Sequence, residues 1–410
     1  MTVTIQPSQA RGEVFAPPSK SMAHRLLICA ALCRGTSRVH GISDCEDVRA
    51  TLGCLKSLGI SFEVSGDCVT VWGRPFSELA PKNPLYAKES GSTLRFFIPL
   101  ALLTGAEVVF TAERSLLSRP FGVYEMLAEQ KGFVFKKNES SITAKGPLHA
   151  GEYRVPGNIS SQFISGLLFA LPLLHGDSRI VITTAVESRS YINLTIKALS
   201  EFGVSVCWED EHTLFIRGDQ NYESREISVE GDYSGTAFLE AMNLFSHEIY
   251  VKGLDDESLQ GDKIYRQYFP MLSQGVPTLH IGDCPDLGPI LFAVAAAKHG
   301  GVFSGTRRLR IKESDRAEAM AMELRKFGVT VKVHDDSVVV FPTVFHAPSE
   351  PLYGHNDHRI VMALSVLLTV TGGSIMGAEA IKKSYPGFFR DLSMLGICLS
   401  EKEDETNATD

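Results

Sequence analysis

Basic side chains stand beside hydroxyl side chains at several places where the sequence predicts the start of a helix. The basic residues concerned are Lys20, Arg25, Arg95, Lys312, Arg316, His358 and Arg359. A helix N-terminus carries partial positive charge, so a cation there costs about a few tenths of a kcal/mol or more. Free backbone N–H groups combined with lysine or arginine are instead suited to binding anions. Together these positions predict one cationic cleft for small polyanions.

Each of these motifs has an ordinary structural explanation when it is taken alone. The K-S-x-x-x-R pattern at 20–25 is more often a helix start with a surface arginine, and S-S-Q at 160–162 is a common kind of N-cap. G-S-T at 91–93 lacks the remainder of a P-loop. The K-E-S-D-R run at 312–316 could be a solvated charged turn. The prediction of an anion site therefore depends on their recurrence at equivalent places.

Four side chains are candidates for acid–base chemistry: Asp286, Glu313, Lys20 and His358. Asp286, in D-C-P-D-L-G-P, could equally be a helix cap. The sequence has no Ser-His-Asp spacing, no G-x-S-x-G elbow, no metal-binding pattern and no G-x-G-x-x-G after a strand. We therefore expect a reaction on small anions that needs neither a cofactor nor a metal.

A helix-like segment that ends in a hydrophobic–glycine–hydrophobic break occurs six times along the chain. The glycines are Gly59, Gly132, Gly203, Gly275, Gly328 and Gly396, at spacings of 73, 71, 72, 53 and 68 residues. Glycine just past an amphipathic helix predicts a C-terminal cap that leads into a strand. Because the period is longer than that of solenoid repeats, we expect each repeat to be a small α/β unit.

Each repeat also contains an apolar helix of roughly four turns, a short β-like run and a second, amphipathic helix. The predicted apolar helices are Met22–Leu32, Leu94–Leu103, Phe163–Leu174, Ala237–Phe245, Ile290–Lys298 and Ile360–Thr369. The β-like runs are clearest at 108–110, 180–182 and 374–376. The fourth repeat has the short spacing, and we expect it to lack its final hairpin.

Six repeats in 410 residues suggest two domains of three repeats each. The predicted limits are 1–18 plus 228–400 for a discontinuous first domain and 19–227 for a second domain. Residues 401–410, E-K-E-D-E-T-N-A-T-D, are expected to form a disordered acidic tail because they carry little apolar surface.

The composition is that of an ordinary globular protein, with 44% hydrophobic and 21% charged residues. The 40 Lys and Arg against 48 Asp and Glu give a net charge of -8, which argues against nucleic-acid or polybasic membrane binding. The N-terminus has no signal-peptide core, and the longest apolar stretch, 166–174, is too short to cross a bilayer. The eight cysteines form no C-x-x-C pair, so we expect reduced thiols in a cytoplasmic protein.

The motifs taken together resemble those of the 5-enolpyruvylshikimate-3-phosphate (EPSP) synthase family, the 3-phosphoshikimate 1-carboxyvinyltransferases, over essentially the whole chain. They are PPSKSMAHR (17–25), ESGSTLRFF (89–97), LLSRPFG (116–122), NISSQFISGLL (158–168), ESRSYINLT (187–195), DYSGTAFLEA (232–241), CPDLGPILFAVAA (284–296), RIKESDRAEAMAMELRKFGV (310–329), HNDHRIVMA (355–363) and KKSYPGFF (382–389). The resemblance implies an α/β (α+β) fold of two similar domains. Each domain would consist of three βαβαββ units, as an inverse α/β barrel, with the active site in the interdomain cleft.

The resemblance also implies a role for each matching residue. Asp286 would be the acid/base at the 5-hydroxyl of shikimate 3-phosphate, Glu313 the proton donor, and Lys20 a catalytic residue that contacts both substrates. The residues implied for shikimate 3-phosphate are Lys20, Ser21, Arg25, Ser160, Ser161, Gln162, Ser188, Tyr191, Asp286 and Lys312. Those implied for phosphoenolpyruvate are Lys20, Gly91, Arg119, Gln162, Arg316, Arg359 and Lys383.

The implied reaction joins the 5-hydroxyl oxygen to the enolpyruvyl carbon and eliminates phosphate from a tetrahedral ketal. The enzyme would be a monomer with no metal, cofactor, nucleic-acid or membrane partner. A sister enzyme of the same fold transfers enolpyruvyl to UDP-N-acetylglucosamine, but it carries a reactive cysteine in its loop, and 115–122 has none beside Arg119. A non-catalytic anion-binding protein is the other alternative, and it would not need both Asp286 and Glu313.

Overall fold

The computed structural model describes residues 1–79, 81 and 83–403. Within these residues the chain forms thirteen α-helices. Their bounds are α1 Lys20–Leu32, α2 Glu46–Leu58, α3 Gly91–Leu102, α4 Arg114–Leu117, α5 Gly122–Lys131, α6 Ser161–Ala170, α7 Arg189–Glu201, α8 Tyr233–Met242, α9 Tyr265–Gln274, α10 Gly288–Ala297, α11 Arg316–Lys326, α12 His358–Thr371 and α13 Phe388–Met394. The six predicted apolar helices correspond to α1, α3, α6, α8, α10 and α12.

The same residues form twenty-two β-strands. Their bounds are β1 Thr2–Ile5, β2 Arg11–Phe15, β3 Gly35–His40, β4 Ser61–Ser65, β5 Cys68–Gly73, β6 Leu85–Tyr86, β7 Glu107–Thr111, β8 Val134–Lys137, β9 Ser141–Lys145, β10 Gly151–Val155, β11 Ser178–Ile182, β12 Val206–Trp208, β13 Thr213–Ile216, β14 Glu226–Ser228, β15 Glu248–Lys252, β16 Thr278–His280, β17 Gly301–Ser304, β18 Val331–Val333, β19 Ser337–Val340, β20 Leu352–Tyr353, β21 Gly373–Met376 and β22 Leu399–Lys402. The predicted β-like runs lie in β7, β11 and β21.

Five four-stranded sheets share one pattern. In each, a first strand pairs in parallel with a second, and the second pairs antiparallel with the third. The third and fourth strands form a hairpin in four of the sheets, whereas β1 and β22 in the fifth are distant in sequence. The strand orders are β14-β3-β5-β4, β6-β7-β9-β8, β10-β11-β13-β12, β16-β17-β19-β18 and β20-β21-β1-β22. In most repeats one helix connects the first strand to the second, and another helix connects the second strand to the hairpin. This order of elements is the βαβαββ unit that the resemblance implies.

The fourth repeat differs, as its short spacing predicts. Its sheet has only two strands, β15 and β2, and the hairpin is missing. Five of the six repeat glycines have positive φ, for example 76° at Gly132 and 81° at Gly328, and so act as left-handed helix ends. Gly275 has a φ of 175°, which is extended backbone. The prediction of a glycine cap is therefore wrong at Gly275.

The N-terminal segment completes two sheets that belong to the last three repeats. Strand β1 lies between β21 and β22, where Val3 is paired with both Ile375 and Glu401. Strand β2 pairs in parallel with β15. Glu401 and Lys402, which the sequence analysis assigns to a disordered tail, are therefore in a strand, and 404–410 lie outside the described residues.

The described chain separates into two compact units. Unit 1 contains residues 1–17, 231–256 and the chain from 261 onwards, and unit 2 contains 18–230 and 257–260. The short segment 257–260 is held to the end of the long one, because Gln260 Nε2 donates to Glu230 Oε1 at 2.9 Å. The domain limits predicted from sequence, 1–18 plus 228–400 and 19–227, stay a prediction.

One helix of each repeat is buried on all sides. In unit 1, α10 packs against both α8 and α12, and nine of its ten residues are buried. In unit 2, α3 packs against α6, and every residue of α3 except Ser92 is buried. A helix that is hydrophobic all round belongs in a core, so only its ends can present polar groups. No helix within the described ranges is both long and apolar enough to span a membrane.

Glycines at the ends of three hairpins allow close contact with backbone carbonyl groups in unit 2. A Cβ added at Gly73 would lie 2.4 Å from the Ala30 carbonyl oxygen and 2.6 Å from that of Cys33. Added at Gly146 it would lie 2.0 Å from the Leu102 oxygen, and at Gly218 2.1 Å from the Gly176 oxygen. Each repeat of unit 2 therefore uses glycine where its last strand ends against the backbone at, or shortly after, the end of its buried helix.

We predict that Gly73→Ala lowers the free energy of unfolding by about 1–3 kcal/mol, because backbone would have to move to admit the methyl group. Gly53→Ala is the matched control, since Gly53 lies inside α2 with nothing within 4 Å of its added Cβ. That change should stabilise the protein by about 0.5–1 kcal/mol. Thermal unfolding midpoints check both, and equal midpoints for the two variants would contradict the prediction.

Candidate active site

Arg25 is buried at the start of α1, with 2% of its surface exposed. Its Nε donates to Thr195 Oγ1 at 2.9 Å, and its Nη1 and Nη2 donate to the carbonyl oxygens of Ser21 at 2.6 Å and Tyr191 at 3.0 Å. Burial lowers the pKa of Arg25 to about 10, so the side chain is still cationic at neutral pH. The structure thus brings together three predicted site residues and excludes the surface-arginine explanation.

Lys20 is the first residue of α1, where Ser19 caps the helix by accepting from the Met22 N–H. Its Nζ lies 2.8 Å from Asp47 Oδ2, and both side chains are largely buried. The sequence analysis missed Asp47 because an acid in the first turn of a helix such as α2 is common and carries no special signal.

Gly91 lies where three polar side chains of unit 2 meet. A Cβ at Gly91 would be 3.0 Å from Arg95 Nη1, 3.2 Å from Arg119 Nη1 and 3.6 Å from Gln162 Oε1. A side chain at this position would therefore press on both guanidinium groups. Arg119 Nε is buried and has no hydrogen-bond partner within the described chain. This arrangement leaves N–H groups available beside an open position at the start of α3.

Gln162 connects the first turns of α3 and α6. Its Nε2 donates to Ser92 Oγ at 2.9 Å, and its Oε1 accepts from Arg95 Nη1 at 2.6 Å. The Arg95 guanidinium lies 5.2 Å from the ring centres of Phe121 and Phe163, which fixes its orientation. The sequence identifies Arg95 only as a base at a helix start, and its contact with Gln162 is what distinguishes it as a site residue.

The predicted serines lie at the starts of two helices. Ser160 is the N-cap of α6 and accepts from the Gln162 N–H at 3.3 Å, and Ser161 is the first helical residue. Ser188 is buried and precedes α7 with a φ of 55°, a left-handed conformation that is unusual for serine. Tyr191, in the first turn of α7, is half-buried. These positions place hydroxyl groups and helix N-termini together, which suits an anion.

Arg316 is the central cation of the predicted residues in unit 1, and it is only 1% exposed. Its Nε donates to Asp357 Oδ2 at 2.8 Å, its Nη1 to Asp286 Oδ1 at 2.7 Å and its Nη2 to Glu313 Oε2 at 2.8 Å. The attraction of these carboxylates outweighs burial and raises the pKa of Arg316 well above its usual value. The 312–316 run is therefore no solvated turn, because its arginine organises three carboxylates.

Asp286 lies in a short 3₁₀ turn before α10 and caps no helix there. Its Oδ1 also accepts from Lys312 Nζ at 3.1 Å, and its Oδ2 lies 3.8 Å from Arg359 Nη2. Burial opposes ionisation of this carboxyl group, but Lys312, Arg316 and Arg359 outweigh it and hold the pKa of Asp286 well below its usual range. Asp286 is therefore a carboxylate surrounded by three cations.

Asp357, rather than the preceding Asn356, caps α12. Its Oδ1 accepts from the Arg359 N–H at 2.9 Å, and its Oδ2 accepts from Ser314 Oγ at 3.0 Å as well as from Arg316. The sequence analysis missed Asp357 because it treated N-D-H-R as a cap followed by cations. Only the fold shows that this cap is also a buried counter-ion. His358 is buried, with Nδ1 3.9 Å from Asp357 Oδ1.

Arg359 has donor groups that the protein does not use. It is 4% exposed, and its Nε and Nη1 are buried without a hydrogen-bond partner within the described residues. Its guanidinium lies 5.7 Å from the centre of the Phe238 ring. Lys383 is also buried and donates to the Asn356 carbonyl oxygen at 2.5 Å, whereas Lys382 is exposed. Unpaired buried N–H groups are costly, so Arg359 is a candidate for contact with an external acceptor.

These contacts describe two candidate anion-binding sets, one in each unit. The set in unit 2 combines helix N-termini, hydroxyls and the cations Lys20, Arg25 and Arg119. The set in unit 1 places the carboxylates of Asp286 and Glu313 among cations, so it can also move protons. Among the described residues, no group of three or more His, Cys, Asp or Glu side chains is arranged to hold a metal ion.

Comparison with known proteins identifies the sequence's relatives. A profile of the family described as EPSP synthase (3-phosphoshikimate 1-carboxyvinyltransferase) matches residues 5–274 and 270–392. The 3-phosphoshikimate 1-carboxyvinyltransferase of Clostridium kluyveri is 41% identical, covering 96% of this chain and 97% of the relative. That of Clostridium perfringens is 38% identical, covering 98% and 99%.

Solved structures of similar fold include an EPSP synthase from Acinetobacter baumannii, with a TM-score of 0.79 and 23% identity over 98% of this chain and all of the other. The enolpyruvyl transferase NikO from Streptomyces tendae has a TM-score of 0.76 and 14% identity, covering 97% and 98%. At these identities the two structures are evidence for the fold alone, and they agree with the expected α/β architecture.

We predict that Arg316→Met destabilises the protein by about 3–5 kcal/mol, because it leaves three carboxylates without their shared cation. Arg310→Met is the control, since Arg310 is 38% exposed and its 3.5 Å pair with Asp335 is at the surface. That change should cost less than about 1 kcal/mol. Chemical denaturation of both variants measures the difference, and a similar small cost for each would show that the buried cluster contributes no stability.

Proposed function

Since the chain belongs to the EPSP synthase (3-phosphoshikimate 1-carboxyvinyltransferase) family and transfers the enolpyruvyl group of phosphoenolpyruvate to shikimate 3-phosphate, we propose that its two cationic sets bind these substrates. The observation that carries this proposal is the set of buried, unpaired N–H groups at Arg119 and Arg359. Each would find its acceptor in a carboxylate or phosphate oxygen of phosphoenolpyruvate.

Shikimate 3-phosphate is proposed to bind chiefly to unit 2. Its phosphate would be held by Ser160, Ser161 and Ser188 at the starts of α6 and α7, and its remaining polar groups by Ser21, Arg25 and Tyr191. Gln162 and Lys20 would contact both substrates, and Lys312 would add a contact from unit 1. The support for this division is local: the hydroxyls, the helix N-termini and the cationic Arg25 lie together within one unit.

Phosphoenolpyruvate is proposed to bind to the guanidinium groups and to Lys383, with Gly91 leaving space beside Arg119. Its anionic groups would then partly neutralise the positive charge of the cations that surround Asp286 in the free enzyme. Because Arg316 and Arg359 hold the pKa of Asp286 low, Asp286 is a weak base in the free enzyme. An anion bound to those cations weakens their hold, so substrate binding would strengthen Asp286 as a base.

Asp286 would then orient the 5-hydroxyl and accept its proton as the C–O bond forms. Glu313, together with Lys20, would protonate the methylene carbon of phosphoenolpyruvate as the tetrahedral ketal forms. Departure of phosphate, with return of a methyl proton to Glu313, would restore the double bond and complete the transfer. Glu313 accepts from Arg316 Nη2 at 2.8 Å, so it would exchange this contact for a proton before donating. General acid–base catalysis of this kind contributes typically ~10²–10⁴-fold.

Two further expectations belong to this proposal. A cytoplasmic location is supported by the bacterial relatives that share the family, and a monomer is supported by the burial of the central helices within their own units. Transfer to UDP-N-acetylglucosamine is disfavoured because no cysteine accompanies Arg119 in 115–122.

The first test measures phosphate release from phosphoenolpyruvate with shikimate 3-phosphate, beside a parallel reaction with UDP-N-acetylglucosamine. We predict release only with shikimate 3-phosphate. Release only with the nucleotide sugar would assign the other acceptor, and no release from folded protein would favour an anion-binding protein without catalysis.

We predict that Asp286→Asn and Glu313→Gln each lower kcat by about 100-fold or more, because each removes a proton-transferring group. Glu318→Gln is the control, since Glu318 is exposed in the first turn of α11, close in sequence to Glu313. It should keep normal turnover. Circular dichroism must show that the variants are folded, and near-normal kcat in Glu313→Gln would overturn its assignment as proton donor.

A further inference from the structure

A carboxyl group that the proposed mechanism does not use is buried near the catalytic carboxylate in unit 1. Asp262 is 2% exposed, and its Oδ2 accepts a hydrogen bond from Ser234 Oγ. Ser234 is in the first turn of α8, where its N–H donates to Asp232 Oδ1 at 3.2 Å. Asp262 is thus fixed at the N-terminus of one of the buried helices, away from solvent.

The same face of α8 also positions Arg359. Ser234 and Phe238 are four residues apart, so they lie on one side of the helix. Ser234 donates to Asp262, and the Arg359 guanidinium lies 5.7 Å from the centre of the Phe238 ring. Helix α8 therefore contacts both groups, the Asp262 carboxyl group through Ser234 and the Arg359 guanidinium through Phe238.

The charged and titratable groups around Asp262 come from each element packed against it. They are Asp232 before α8, Cys284 and Asp286 before α10, and Arg359 at the start of α12. Burial, followed by the Asp286 charge, raises the pKa of Asp262 to about 6, although Arg359 favours the ionised form. Asp262 can therefore change its charge near neutral pH without leaving its site.

Arg359 itself points to an anionic ligand at this place. Two of its nitrogens, Nε and Nη1, are buried without a partner within the described residues, and its Nη2 is only 3.8 Å from Asp286 Oδ2. An incoming phosphate or carboxylate would thus share Arg359 with the nearby protein carboxylates. Each ionised carboxylate there opposes the binding of the ligand by like-charge repulsion.

We propose that Asp262 is a positioning residue for the anionic substrate at Arg359: when ionised its charge opposes binding of the substrate, and it takes up a proton from solvent as the substrate binds. This inference rests on the proposed function, because it identifies the substrate at Arg359 as phosphoenolpyruvate. It makes Asp262 a regulator of phosphoenolpyruvate affinity rather than a group in the chemical step.

The sign of the pH dependence follows from linkage. A bound anion raises the pKa of Asp262 further, so the substrate binds more tightly to the protonated enzyme. The KM for phosphoenolpyruvate should therefore be constant below about pH 6 and rise above it. The total rise should be about tenfold for each unit by which substrate binding raises the pKa of Asp262. The value of kcat should not follow this rise.

The test measures KM for phosphoenolpyruvate at saturating shikimate 3-phosphate, from about pH 5.5 to about pH 8, in the wild type and in Asp262→Asn. We expect the variant to lose the rise in KM above pH 6, so that it binds phosphoenolpyruvate several-fold more tightly than the wild type at the highest pH. The phosphate group of the substrate ionises in the same way with both enzymes, so its effect cancels when the two KM profiles are compared. Asp335→Asn is the control for loss of one negative charge, since that side chain is 96% exposed.

Ser234→Ala provides a second, independent variant. It removes the hydroxyl that donates to the Asp262 carboxylate, so the pH at which KM rises should move upward. The inference is overturned if Asp262→Asn keeps the wild-type pH dependence, or, should that variant not fold, if Ser234→Ala leaves it unmoved. Lack of turnover in the wild type with these substrates would instead show that the proposed function is wrong.

Discussion

Six helices that are buried on every side constrain the rest of this structure. Because α10 or α3 can present polar groups only at its ends, the functional side chains of each unit are confined to helix N-termini and the turns before them. Those termini already offer backbone N–H groups. Cations placed there would be unfavourable without an anion, so the architecture itself favours binding of small anions.

The two units meet this constraint in different ways. In unit 2, hydroxyls, Gln162 and aromatic rings hold the guanidinium groups, as where Arg95 lies between Phe121 and Phe163. In unit 1, the guanidinium of Arg316 is held by three carboxylates. Carboxylates and cations packed this closely can exchange protons when a ligand alters the balance of charge. This difference is why the proton-transfer roles are proposed for unit 1.

The repeats, the apolar helices and most of the candidate site could be predicted from sequence because each depends on local patterns. Glycine caps, apolar helices and basic first turns are short-range features, and the family motifs add the order in which they occur. The exceptions have physical reasons. Gly275 has the sequence of a cap but no hairpin follows it, so its backbone is extended. Asp47, Asp262 and Asp357 look like ordinary acids near helix starts, and only tertiary contacts distinguish them.

The pairing of β1 has a consequence for how the chain is made. Thr2–Ile5 are synthesised long before their partner strands, Gly373–Met376 and Leu399–Lys402. The sheet of β20, β21, β1 and β22 therefore cannot form until Leu399–Lys402 have been synthesised. Residues 18–260 include every strand and helix of unit 2, whose own sheets close without help from outside that range. Since domains generally fold as units during synthesis, the set that contains Arg25 is assembled before the one that contains Arg316.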